Sequence, residues 1–185
     1  MSLLVDQAID SAGLAAVLAA RRAGDRMDSH VDRLRGADLL ALGALADRVR
    51  AEEVGDEVRI YLSEPANDDE RVVVVAAGAD DITGLELLRH VAVARITGPR
   101  AGRVRVDWGR CGLELAQVTL GFGANELVGR VATKRGLPLA EGELLGVGKR
   151  SALLPAEVVK RRELAGFVER AGRRPRFVDS TEVTK

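Results

Sequence analysis

The 185-residue chain contains one cysteine. A lone thiol excludes an internal disulfide framework and any multi-cysteine zinc or iron–sulfur site. Aromatic residues are only 3% of the sequence, so the core has to be built from Leu, Val and Ala. The two histidines, His30 and His90, stand apart from each other, with no second histidine or cysteine nearby in sequence, and both read as structural or surface residues. With 28 basic and 28 acidic residues there is no net charge to draw the chain toward nucleic acid or a membrane surface. No apolar run reaches the length of a membrane span. The opening MSLLVDQAIDSAGLAAVLAARR is broken by Asp6, Gln7, Asp10 and Ser11 and lacks a basic start, unlike a signal peptide. These absences predict a cytoplasmic protein with no nucleic-acid partner, no membrane partner, no metal site and no complete catalytic set.

What is present is an alternation of helical and strand-like segments. The length suffices for one domain with a real core. Apolar spacing predicts helices over 3–22, with Gly13 weakening the middle, and over 37–53. Val58-Arg59-Ile60-Tyr61-Leu62 alternates and reads as a strand. The acidic stretch 63–71 reads as a loop. The β-branched run from Val72 to Val75 suits a strand buried on both faces of a parallel sheet. Residues 78–82 turn the chain, and Thr83-Gly84-Leu85-Glu86 fits a capping box opening a helix that stops at Gly98-Pro99. Further strands are expected over 103–108 and 117–122, with a short helix over 112–116 between them. Pro155 marks the start of a helix to about 171, and 173–178 is a candidate final strand. Alternating strands and helices point to an α/β fold with parallel pairing. One domain is expected: N-terminal helices over 1–54, a strand-rich core over 55–129, and a glycine-rich segment plus C-terminal helix over 130–185.

Few motifs carry chemistry. Cys111 follows Trp108-Gly109-Arg110. A reactive thiol needs strong nearby positive charge, which Arg110 alone supplies poorly, so an inert, half-buried thiol is the expectation. Gly121-Phe122-Gly123-Ala124-Asn125 lacks the spacing of a dinucleotide loop, and Gly146-Val147-Gly148-Lys149-Arg150-Ser151 lacks the leading glycine and preceding strand of a phosphate loop. Charge is unevenly placed: acids dominate 51–82 and bases dominate 149–178. The two stretches are either solvated faces or complementary patches that meet within or between chains. A nucleic-acid or regulatory module using the basic stretch has no motif behind it.

Two segments resemble one family. The stretch AGDRMDSHVDRLRGADLLALGALADRVRAEEVGDEVRIYLSEPAN (23–67) looks like the entry region of the radical S-adenosylmethionine enzymes of the futalosine route to menaquinone, the aminofutalosine synthase and dehypoxanthine futalosine cyclase family. The stretch 82–129, with LRHVAVAR, a strand ending in Trp108, GLELAQ and GFGAN, resembles the last third of the same enzymes. AGRRPRFVDS resembles their C-terminal end. The family's C-x-x-x-C-x-x-C should follow Tyr61, where this chain reads LSEPANDDERVVVVAAG with no cysteine.

The resemblance implies a partial, half TIM-type βα barrel of about four parallel strands, in the spatial order 72–76, 103–108, 117–122, 58–62. Helices would lie on its outer face, and its inner face would be Val, Leu and Ile. It implies a degenerate, non-catalytic radical-SAM-like protein (a pseudoenzyme) tied to menaquinone biosynthesis, acting as an accessory or partner subunit. No 4Fe–4S cluster is expected, because three thiolates hold that centre, nor is S-adenosylmethionine, whose binding strands are missing. The apolar inner face would need cover, so a homodimer or a heteromer with a full-length radical SAM paralogue is expected. The alternative is an enzyme or binding protein of altered chemistry, holding a nucleoside-like ligand at the retained barrel rim on Trp108, Gln117 and Asn125.

Overall fold

A computed structural model describes residues 3–61, 65, 71–75, 83–132 and 158–178. The fold is α/β. Five strands form a parallel sheet: β1 (Glu57–Tyr61), β2 (Val72–Val75), β3 (Arg103–Asp107), β4 (Glu126–Val128) and β7 (Arg174–Val178), in the spatial order β2-β3-β4-β1-β7. A parallel two-stranded ribbon pairs β5 (Arg130–Ala132) with β6 (Val158–Lys160). The eight α-helices among the described residues are α1 (Leu3–Ser11), α2 (Ala15–Ala23), α3 (Val31–Gly36), α4 (Leu39–Val54), α5 (Gly84–Thr97), α6 (Trp108–Cys111), α7 (Leu113–Thr119) and α8 (Arg161–Arg170). None of them is long and apolar enough to cross a membrane.

The helix-start signal read at Thr83 holds. Thr83 caps α5 in a reciprocal capping box: its hydroxyl accepts from the Glu86 amide while the Glu86 carboxylate accepts from the Thr83 amide. Asp38 caps α4 through the Ala41 amide at 2.9 Å. Gly13, expected only to weaken one helix, divides it. At φ +69° it turns the chain, and α1 and α2 meet at 102°. This lets Ile9, Leu14 and Val17 all reach the core.

Three expected elements are corrected. Residues 117–122 are not a strand. Leu113, Ala116 and Leu120 follow helical spacing, and the segment continues as α7 and a 3₁₀ turn, with Ala116 and Leu120 fully buried. The strand that takes its place between β3 and β1 is β4, three residues long and entered through the Gly123 turn. Gly123 has φ +98°, and a Cβ there would meet the Arg95 side chain at 2.7 Å. The strand over 103–108 ends at Asp107, whose carboxylate accepts from the Gly109 amide and starts α6 at Trp108. The helix expected over 155–171 begins at Arg161, and the β-branched pair Val158-Val159 is strand. Pro155, the 146–151 glycine motif, 78–82 and most of the 63–71 loop lie outside the described residues.

The sheet's two faces are chemically different. Val58, Ile60, Val104, Val106 and Leu127 join the buried residues of the helices in one continuous apolar core. Tyr61, Val128 and Val178 form a separate small cluster on the opposite face. Arg21 ties the helical layer together. It pairs with both carboxylate oxygens of Glu53 at 2.7 and 2.9 Å and donates to the Gly98 carbonyl at 2.7 Å, joining α2, α4 and the α5–β3 turn. Burial pushes the Glu53 carboxyl up, but hydrogen bonds from Arg21 and the Ala101 amide outweigh it and leave the group below its ordinary range.

Candidate functional site

The face away from the helices carries charge where Val, Leu and Ile were expected. Alternation puts residues 103, 105 and 107 of β3, 126 and 128 of β4, 57, 59 and 61 of β1, and 174, 176 and 178 of β7 on it. In register these make rows. Near the strands' amino ends lie Arg103, Glu57 and Arg174. In the middle lie Arg105, Glu126, Arg59 and Arg176. At the carboxyl ends lie Asp107, Val128, Tyr61 and Val178. The expected aliphatic surface is therefore corrected to one with five arginines, because the strands R-V-R-V-D, V-R-I-Y and R-P-R-F-V each give their arginines to the same side.

The middle of this face is buried within the single chain. Glu126 is fully buried (0% exposed). Its Oε1 accepts from Arg105 Nε and Nη2 at 2.8 and 2.6 Å, and Arg103 Nε stands 3.5 Å from Oε2. Oε2 itself has no hydrogen bond. The Arg105 guanidinium lies over the Tyr61 ring at 5.2 Å, and Arg103 Nη1 donates to the Tyr61 hydroxyl at 3.4 Å. Toward β7 the face opens: Arg176 and Arg174 are exposed, and Arg59 and Glu57 are half-buried. The acidic and basic stretches noted in the sequence meet within the chain at the β1–β7 pairing, where Arg176 stands 3.4 Å from Glu57; Arg173 of the basic stretch pairs instead with Asp47 of α4, outside the acidic stretch.

The three rim candidates are not brought together. Trp108 is buried on the helix side beyond the carboxyl end of β3, against Gly129, where a Cβ would come within 2.2 Å of the indole. Its Nε1 has no hydrogen bond. Asn125 sits at the other end of the sheet, just before β4. Its Oδ1 accepts from Arg95 Nη2 at 2.5 Å and from the Val104 amide at 2.9 Å, and its backbone bridges β3 and β1. Gln117 donates to the Phe167 carbonyl at 2.8 Å, clamping α7 to α8. The GFGAN turn thus enters a strand instead of leaving one, so its amides are placed away from the sheet's carboxyl ends.

Sequence reading passed over Arg95. It is buried to 1% exposure and donates to the carbonyls of Gly123 and Gly102, each at 2.8 Å, as well as to Asn125. Burial lowers its pKa to about 10, so it stays cationic at neutral pH. Cys111 donates to the Asp107 carbonyl at 3.3 Å. Burial and then the Asp107 charge push its thiol up to about 11, the opposite of what a nucleophile needs. No group of three or more His, Cys, Asp or Glu side chains among the described residues is placed to hold a metal ion. His90 is exposed on α5 and His30 is half-buried.

Compared with protein-family models and with curated proteins, the chain has no match.

Proposed function

We propose that the chain is a non-catalytic, cluster-less relative of the radical SAM enzymes of the futalosine pathway, a partial TIM-type barrel acting in the cytoplasm as an accessory subunit in menaquinone biosynthesis. The observation that carries this reading is the parallel pairing of β4 with β1, with Tyr61 opposite Val128. In a closed (β/α)8 barrel the last strand lies beside the first. In the order β2-β3-β4-β1-β7, the first four strands follow what strands six, seven, eight and one of such a barrel would leave behind, and β7 takes the position beside β1 that a second barrel strand would hold. At the end of β1, where the resemblance calls for three thiolates, the chain has none, and its single cysteine belongs to α6.

The sheet's two edges support a partner role. The β7 edge is guarded. Arg174 N–H points to Asp56 O of the β1 side, so alternation turns Pro175, which has no N–H, outward. The β2 edge has no such guard: it is a run of four valines, with Val74 50% exposed, and no described strand lies beyond it. A full-length paralogue is the occupant this reading assigns to that edge, and a second copy of the chain is the competing outcome. A ligand on Trp108, Gln117 and Asn125 gains no support from these placements.

Anaerobic reconstitution with iron and sulfide tests the cluster-less half of the reading. The desalted protein should be colourless and hold no stoichiometric iron, since one thiol cannot ligate a four-iron centre. A retained charge-transfer absorption band with iron in proportion to protein would overturn it.

A further inference from the structure

The open half of the arginine-lined face carries a feature that neither barrel ancestry nor a partner role requires. Glu57 faces Arg174 and Arg59 faces Arg176 across β1 and β7. Neighbouring strands are about 4.8 Å apart and alternate residues about 6.6 Å apart along a strand. Three guanidinium-bearing side chains and one carboxylate therefore stand on a rigid square of strand positions. The carboxylate is shared and loosely held. Arg176 Nη1 is 3.4 Å and Arg59 Nε 3.7 Å from the same oxygen of Glu57. Arg174 has no ion pair among the described residues. Among the described residues the neighbouring acids are already engaged: Asp56 and Asp47 are paired with Arg50, Asp47 is also paired with Arg173, and Glu126 is held by Arg105.

We propose that Arg59, Arg174 and Arg176 form a binding site for a multiply charged oxyanion, a phosphoryl or polycarboxylate group, with Glu57 occupying its centre when the site is empty. Guanidinium forks bind such groups through paired, charge-assisted N–H···O bonds, and their planarity suits two oxygens at once. The strands fix the Cα positions, so only side-chain rotamers have to be ordered on binding. Glu57 competes for the same donors, which sets the affinity and gives the site an identifying response.

The test is calorimetric titration with inorganic pyrophosphate, and separately with citrate, at low and at physiological salt. Saturable binding that weakens with salt is expected for at least one of the two, and the preferred probe names the group. Arg174→Ala combined with Arg176→Ala should weaken it about tenfold or more. Glu57→Gln should tighten it several-fold, a gain that a merely structural role for these residues would not produce. Arg162→Ala, an exposed arginine on α8, should leave it unchanged. Circular dichroism checks that each variant folds. The inference is overturned if neither probe binds saturably below about 10 mM, an affinity too weak for a specific site. Binding that is indifferent to Glu57→Gln and to the double variant would overturn it equally.

Discussion

Replacing Glu126 by alanine is expected to destabilise the fold by about 3–5 kcal/mol, the range for removing one partner of a buried ion pair. Glu126 is the single carboxylate in the middle row of the arginine-lined face, and its side chain is fully buried. Without it, the Arg105 guanidinium keeps its burial and loses both short contacts, and Arg103 loses the nearest opposite charge. Coulombic attraction in that environment offsets desolvation only while the pair is intact. The combined change Glu126→Met with Arg105→Leu should recover most of the loss, because it removes both charges and fills similar volume. Urea unfolding of the wild type, Glu126→Met, Arg105→Leu and the double variant closes the cycle. A cost below about 1 kcal/mol for Glu126→Ala would mean that the pair behaves as a solvent-exposed bridge, and that the centre of this face is open to water.

Arg95→Met should cost about 3 kcal/mol or more. The guanidinium satisfies two buried carbonyls, Gly123 and Gly102, and the side chain of Asn125. Each buried acceptor left without a donor costs about 1–3 kcal/mol. Those three acceptors belong to the turn before β3, the turn before β4 and the residue that joins β4 to both its neighbours. Loss of Arg95 therefore loosens the amino end of the whole sheet. Asn125→Ala should be destabilising for the same reason, because the Val104 amide and Arg95 lose a shared acceptor. In thermal unfolding, 3 kcal/mol corresponds to roughly 6–12 °C for a chain of this length. If Asn125 served a ligand instead, its alanine variant would unfold at the wild-type temperature.

Much of the sheet was legible because it rests on local periodicity. The alternation in 58–61, the valine run at 72–75 and the Thr83–Glu86 pair each report their own element, and the order β2-β3 then β1 follows the expected one; the valine run, however, is not buried on both faces as expected but forms the sheet's edge, with Val74 50% exposed and only Val75 buried. The third strand was misplaced because Gln117-Val118-Thr119-Leu120 has β-branched residues at its centre, while its burial at Ala116 and Leu120 is helical. Packing against α4 and α5 decided that contest. The strand that does form, Glu126–Val128, is three residues long and has no periodicity to read.

The face of the sheet was legible in principle and was still misread. Arginines at alternate positions in RVRVD and RPRFV look like a solvent-facing pattern. The pairing of Arg105 with Glu126, 21 residues later, depends on strand order and not on either segment alone. Arg95 was hidden for a different reason. A buried arginine whose partners are two backbone carbonyls and an amide leaves no charge pattern in the sequence. Trp108 looked like a rim residue because it ends a strand, but the absence of a side chain at Gly129 lets the indole fold down onto the core side.

Sedimentation velocity of the purified chain, alone and mixed with a full-length radical SAM enzyme of the futalosine pathway from the same cells, tests the central proposal most directly. The account predicts a new, faster boundary in the mixture containing both proteins, lost when Val74 at the open β2 edge is replaced by lysine. Two independent boundaries at micromolar concentrations, or a mixed species indifferent to Val74→Lys, would contradict it.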